Sequence, residues 1–112
     1  MKNVVPKVMW HHTDPNYLHR LTPLFYMAVM AETFSGDVVK AHFLPVLKAL
    51  SKDRVANIRM NVAKSIQSLG QSLKSQQQSG DTAAQLKSIL NDLKTDEDGD
   101  VRYYSLRALS AI

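Results

Sequence analysis

The stretch Asp53-Arg54-Val55-Ala56-Asn57-Ile58-Arg59 decides the fold, because its outline occurs three times. An Asp followed six residues later by an Arg appears as Asp14 to Arg20, Asp53 to Arg59 and Asp96 to Arg102, with starts 39 and 43 residues apart. Pro6 and Pro45 stand eight residues before the first two Asp residues, and Ser88 occupies that place in the third unit. After Asp53 the apolar residues Ile58, Val62, Ile66, Leu69 and Leu73 recur every three or four positions, which marks one face of a helix. A period near 40 residues, with a helix on each side of a short turn, predicts an all-α chain: an α-solenoid of antiparallel helical hairpins, about two and a half of them.

Working outward, the three units are residues 1–34, 35–78 and 79–112. The first is shorter than the others. Val4, Val5, Val8, Met9 and Trp10 supply about two turns of apolar face, so an incomplete opening unit is expected. Asp14 then reads as an N-cap with Pro15 as the first helical residue. Leu18, Leu21, Phe25 and Ala28 follow as a buried stripe, and Pro23 is expected to end or kink the first turn of that helix. Ser35-Gly36-Asp37 separates the first two units. Val39, Phe43, Val46, Leu47 and Leu50 share a face of the next helix, where Pro45 predicts a bend. A helix from Val55 to about Leu73 comes next. The polar run Lys74 to Gly80 is expected to be an exposed connection holding the four extra residues of the longer period. Leu86, Ile89, Leu90 and Leu93 mark one more helix, Asp96 to Asp100 a turn, and Val101, Ser105, Leu109 and Ile112 the last stripe.

Composition narrows the function classes. With 112 residues the chain is one domain, expected to bury roughly 65% of its unfolded surface. The lack of Cys excludes a disulfide framework, a thiolate zinc site and a cysteine nucleophile. No export signal or apolar run of membrane-spanning length is seen, so a cytoplasmic or nuclear location is expected. His11, His12, His19 and His42 do not form a helical metal-binding pair, and no nucleophile elbow, phosphate loop or dinucleotide turn is present. Neither metal, cofactor nor enzymatic activity is expected. The net charge of +4 leaves open a basic helical-repeat module that binds nucleic acid along Lys48, Lys52, Arg54, Arg59 and Lys64.

The repeated Asp and Arg have a structural reading of their own. Asp14, Asp53 and Asp96 can accept hydrogen bonds from the first free helix amides, while Arg59 and Arg102 can pair with an acid of their own or the neighbouring turn, forming a ladder along one edge. Tyr17 and Val55 stand in turns. An exposed Tyr flanked by Asn and Arg has the composition of an interface anchor, although both residues could instead pack at a helix start.

An Asp turn leading into Ile58-Arg59 or Val101-Arg102, between two amphipathic helices, resembles the HEAT repeat. The wording Asp14-Pro15-Asn16-Tyr17-Leu18-His19-Arg20, and Val55 to Ser65, is similar to the last repeats of the scaffold (A, 65-kDa regulatory) subunits of type 2A serine/threonine protein phosphatases. The resemblance implies a non-catalytic scaffold, a curved array in which the turns within repeats line one ridge. It implies that Asn16, Tyr17, Arg20, Val55, Asn57 and Arg59 face the phosphatase catalytic subunit. Regulatory B-type subunits would dock on amino-terminal repeats outside this sequence, and any metal in the complex would belong to the catalytic subunit. With the apolar face of Val4, Val5 and Val8 left open, a chain carrying so few repeats is expected to self-associate or to fray at its amino-terminal end. Arg54 and Ser88, where the family pattern has Pro, and the Gln-rich connection depart from it.

Overall fold

In the computed structural model, residues 13–76 and 80–112 are described. Five helices make up these residues. They are α1 (Tyr17–Val29), α2 (Gly36–Val38, a π turn Val39–Phe43 and Leu44–Leu50), α3 (Ala56–Ser75), α4 (Asp81–Leu93) and α5 (Gly99–Ala111). A 3-10 turn, Ala31–Thr33, bridges α1 to α2. Helices α1, α3 and α5 stack side by side as one layer, and α2 and α4 lie against them as the second. The arrangement is the α-solenoid that the repeat predicts. The expected apolar face of residues 4–10 lies outside the described residues.

Each helix is placed by its apolar stripe. Ile58, Val62, Ile66, Leu69 and Leu73 of α3 are all buried, as are Leu86, Ile89, Leu90 and Leu93 of α4. They join Leu24, Met27, Phe43, Leu47 and Leu50 in one continuous core. Each such side chain contributes about 1.5–3 kcal/mol when fully buried, so the stripes outweigh the weak propensities of individual turns. Phe34 meets the Phe43 ring edge-on at 5.0 Å and Tyr26 at 5.9 Å, sealing the passage from α1 to α2. Two buried hydroxyls pin the register of α3 on α1 and on the 3-10 turn that follows it. Ser65 donates to the Leu24 carbonyl at 2.8 Å, and Ser72, two turns on, donates to the Ala31 carbonyl at 3.0 Å.

Several local expectations are corrected. Asp14 is not the N-cap of α1: Asn16 is, its side chain accepting from the Leu18 amide at 3.0 Å, and Pro15 therefore precedes the helix. Pro23 does not end α1, which runs on to Val29 with Pro23 buried inside it. The rest of the helix is held by Leu21, Leu24 and Met27 in the core, so one lost backbone hydrogen bond does not break it. Upstream of Pro45 the chain widens into a π turn, in which the Leu44 amide reaches back five residues to the Val39 carbonyl. Widening the helix there accommodates a residue that has no N–H and whose ring crowds the preceding turn. Phe25 and Leu18, assigned to the α1 stripe, are exposed. Lys74 and Ser75 belong to α3, and the connection begins at Gln76. It closes at Gly80, whose φ of 110° suits only glycine and turns the chain into α4.

Candidate partner-docking ridge

The three Asp residues build the same small turn. Oδ1 of Asp14, Asp53 and Asp96 accepts the amide two residues on, from Asn16, Val55 and Asp98, at 2.9 Å in every case. Those three residues are the N-cap positions of α1, α3 and α5. The Asp therefore shapes the approach, and the residue two places later begins the helix. Asn16 and Asp98 cap with their own side chains; Val55 has none to offer.

The Arg six residues after each Asp lies one turn inside the helix and folds back over this turn. Arg20 Nη1 donates to the Asp14 and Pro15 carbonyls at 2.9 and 3.0 Å, Arg59 Nη1 to Asp53 at 2.7 Å, and Arg102 Nη1 to Asp96 and Glu97 at 2.7 and 3.0 Å. For the first two, the other edge reaches the next unit. Arg20 Nε and Nη2 hold Asp53 at 2.7 and 3.1 Å; Arg59 holds Asp96 at 2.8 and 3.1 Å. Sequence allowed a pairing within the turn or across to its neighbour. The carboxylates go to the neighbour and the carbonyls stay at home.

Both rungs are largely shielded from water, with about a tenth of each side chain accessible. Burial pushes the carboxyls of Asp53 and Asp96 up. The hydrogen bonds from Arg20 and Arg59 and from the backbone amides, with the nearby guanidinium charges, outweigh it and hold both below the usual carboxylate range. The same hydrogen bond to Asp96, opposed by burial, raises the Arg59 pKa further. Bidentate geometry and full hydrogen bonding let a near-buried ion pair persist instead of neutralising.

The expected docking residues divide by exposure. Tyr17 is 40% exposed, and Asn16 and Asn57 are exposed beside it on the turn ridge. Val55 is half-buried and packs against the core. Arg20 is 7% exposed and Arg59 is also largely enclosed, so both stand behind the ridge surface as its fasteners. Asn61 donates to the Asn57 carbonyl and side-chain oxygen at 2.8 and 3.2 Å, fixing an orientation that has no signal in the sequence. In the third turn Asp98 is committed to capping, and Glu97, Gly99 and Asp100 are exposed.

Other sites carry less. The basic track loses Arg59 to the ladder, Lys64 to the face of Tyr104 at 4.6 Å and Lys48 to Gln85 at 3.0 Å. A cleft of about 530 Å³ between the carboxy-terminal parts of α1 and α3 is lined by Ala28, Glu32, Ser68, Gln71 and Gln76, and its described lining holds no pair of titratable groups. Among the described residues no cluster of His, Asp or Glu could hold a metal ion, and no helix is long and apolar enough to cross a membrane. His11 and His12 lie outside them.

Comparison with known proteins bears on this ridge. No family model matches the chain. Over 98 residues it is 35% identical to a PP2A protein phosphatase regulatory A subunit of Saccharomyces cerevisiae, covering 85% of the chain and 15% of the relative. Over 68 residues it is 35% identical to the corresponding regulatory protein of Schizosaccharomyces pombe, covering 61% and 12%. Over 58 residues it is 41% identical to the beta isoform of the human 65 kDa regulatory A subunit of serine/threonine-protein phosphatase 2A, covering 52% and 9%. The chain thus spans about a seventh or less of the length of these relatives, which are regulatory subunits and not catalytic ones.

Proposed function

Because the chain belongs to the HEAT-repeat family of PP2A regulatory A subunits, we propose that its turn ridge docks the catalytic subunit of a type 2A serine/threonine phosphatase. The observation that supports this reading most is the row Asn16, Tyr17 and Asn57, exposed on turns that the Arg20–Asp53 and Arg59–Asp96 rungs hold at fixed spacing. A partner meeting such a surface loses little freedom in ordering it, so contact area converts efficiently into affinity. Tyr17 is the anchor, with a large rigid body and a polar tip. Val55 lends a smaller apolar contact beside it. Arg20 and Arg59 act as positioning residues. B-type regulatory subunits would be held by repeats beyond this stretch, and the assembly would work in the cytoplasm or nucleus.

The test is a titration, at two salt concentrations, with the type 2A catalytic subunit, comparing the chain with Tyr17→Ala and Tyr17→Ala/Val55→Ala variants of matched helicity. A loss of about tenfold or more with Tyr17→Ala, retained at the higher salt, is the expected result. Binding that ignores both variants and collapses with salt would overturn the docking ridge in favour of generic charge, the behaviour of a nucleic-acid binder.

A further inference from the structure

The ladder neutralises its own charges and leaves a different set on the ridge. Asp53 and Asp96 are each taken by the Arg of the preceding unit, and Asp98 is spent on its cap. What remains in water differs from turn to turn. Arg54 and Glu97 each follow a ladder Asp, so they hold the same place in the second and third turns, and both are exposed, with opposite charge. Their neighbours extend the contrast: Lys52 is exposed beside Arg54, and Asp100 beside Glu97. The third turn also carries Arg102, exposed but with Nη1 held by two carbonyls. In the first turn the same place is taken by Pro15, two residues from Tyr17.

Matching places in these turns are matching positions in space. Each ladder Asp accepts the amide two residues on at 2.9 Å, so the peptide that carries Pro15, Arg54 or Glu97 is set the same way every time, and the rungs hold the turns in chain order. Among the described residues Arg54 and Glu97 form no ion pair, with each other or with another group. An exposed pair contributes only about 0–1 kcal/mol, so the fold gains little by closing one here. We propose that this alternation gives the ridge a direction: beside the Tyr17 anchor, Arg54 meets carboxylates of the docked partner and Glu97 with Asp100 meets its Lys or Arg side chains. The inference rests on the docking reading above and adds the charge order that the partner must present. A partner turned end for end would bring like charges together at both turns, which slows its capture and disfavours the wrong register.

Association kinetics with the type 2A catalytic subunit, by stopped flow at low and physiological ionic strength, test this. Arg54→Gln lowers the net charge of +4 by one and Glu97→Gln raises it by one, so a response to net charge alone would move the two on-rates in opposite directions. Charge order predicts the same direction for both: each slows association about threefold at low salt, and the difference shrinks as salt is added. Arg54→Glu/Glu97→Arg keeps the net charge and reverses the order, and should slow association about tenfold. Helicity and urea midpoints matched to the wild type keep folding out of the comparison, and the two Gln variants decide the matter by themselves if the reversed one does not fold. On-rates that move in opposite directions, or a reversed variant that associates like the wild type, would overturn the proposal. If Tyr17→Ala leaves affinity unchanged, the docking ridge fails and the charge order falls with it. If Tyr17→Ala costs affinity while the charge variants associate like the wild type, the ridge stands and the charge order alone falls.

Discussion

Arg20 and Asp53, 33 residues apart, meet edge to edge with Nε–Oδ2 at 2.7 Å and Nη2–Oδ1 at 3.1 Å. The same guanidinium holds two carbonyls of its own turn, so a single side chain joins the folding of one repeat to the folding of the next. Breaking either partner therefore has consequences on both sides. Arg20→Ala leaves the Asp53 carboxylate shielded and without its cation, and the expected loss is about 3 kcal/mol of unfolding free energy. Replacing both partners, as Arg20→Met/Asp53→Leu, should cost less than Arg20→Ala alone, since no uncompensated charge remains. Urea denaturation with a constant m-value checks both.

Acid should attack the ladder first. Asp53 and Asp96 have folded-state pKa values below the ordinary 3.8, so their stabilisation is fully present above the unfolded value and is lost as pH falls through the lower folded values. Stability is thus expected to be insensitive to these two groups above about pH 5 and to decline below about pH 4. An Asp96→Asn variant should start less stable and show a shallower decline. Denaturation measured from neutral to acidic pH would refute this if the slope were the same in both proteins.

At Gly70 a Cβ would come within 2.7 Å of Ile112 Cγ2 and 2.9 Å of its Cδ1. Gly70→Ala gains up to about 1 kcal/mol in helix propensity but forces Ile112 aside, and overpacking costs about 1–3 kcal/mol. The net expectation is a small loss of stability. The Ile112 Cβ would also lie 3.1 Å away, so only Gly70→Ala/Ile112→Gly removes every one of these contacts, and this variant should be more stable than Ile112→Gly alone. Equal stability of those two proteins would mean that the contact is not what keeps glycine at this place.

Capping gives a prediction confined to one turn. Asn16→Ala removes the acceptor for the Leu18 amide and should cost about 1 kcal/mol, while Asp14→Ala opens the turn before it and weakens the entry into α1. Amide exchange at Leu18 should accelerate in the first variant. Unchanged exchange there would show that solvent caps the helix equally well.

The layout was legible in the sequence because the helices bury strongly periodic stripes, as from Ile58 to Leu73, and because Asp and Arg recur at one interval. Direction within the ladder was not. Whether Arg59 turns to Asp53 or Asp96 depends on how closely α3 and α5 pack, which no local pattern encodes; the structure gives it the carbonyl of one and the carboxylate of the other. Asp14 and Asn16 are both good capping residues, and the choice between them was settled by the turn that occupies Asp14. Pro45 signalled disturbance, but a π turn upstream absorbs it. Of the expected docking residues, Tyr17 was readable as an exposed aromatic in a turn, whereas the enclosure of Arg20 depends on a residue 33 positions away.

The rungs also tolerate different lengths of intervening chain. Arg20 reaches Asp53 across 33 residues and Arg59 reaches Asp96 across 37, yet the paired distances differ by no more than 0.1 Å. The difference is taken up where α3 outlasts α1 and runs into its connection, away from the turns. Each unit supplies one guanidinium and one carboxylate, so an insertion or deletion of a whole unit leaves every clasp able to re-form, and a few residues added far from the turns disturb none. Losing only the front of a unit, with its Asp, strands the Arg before it. Such an array can change in length over generations by complete units, with the ridge spacing passed on unaltered.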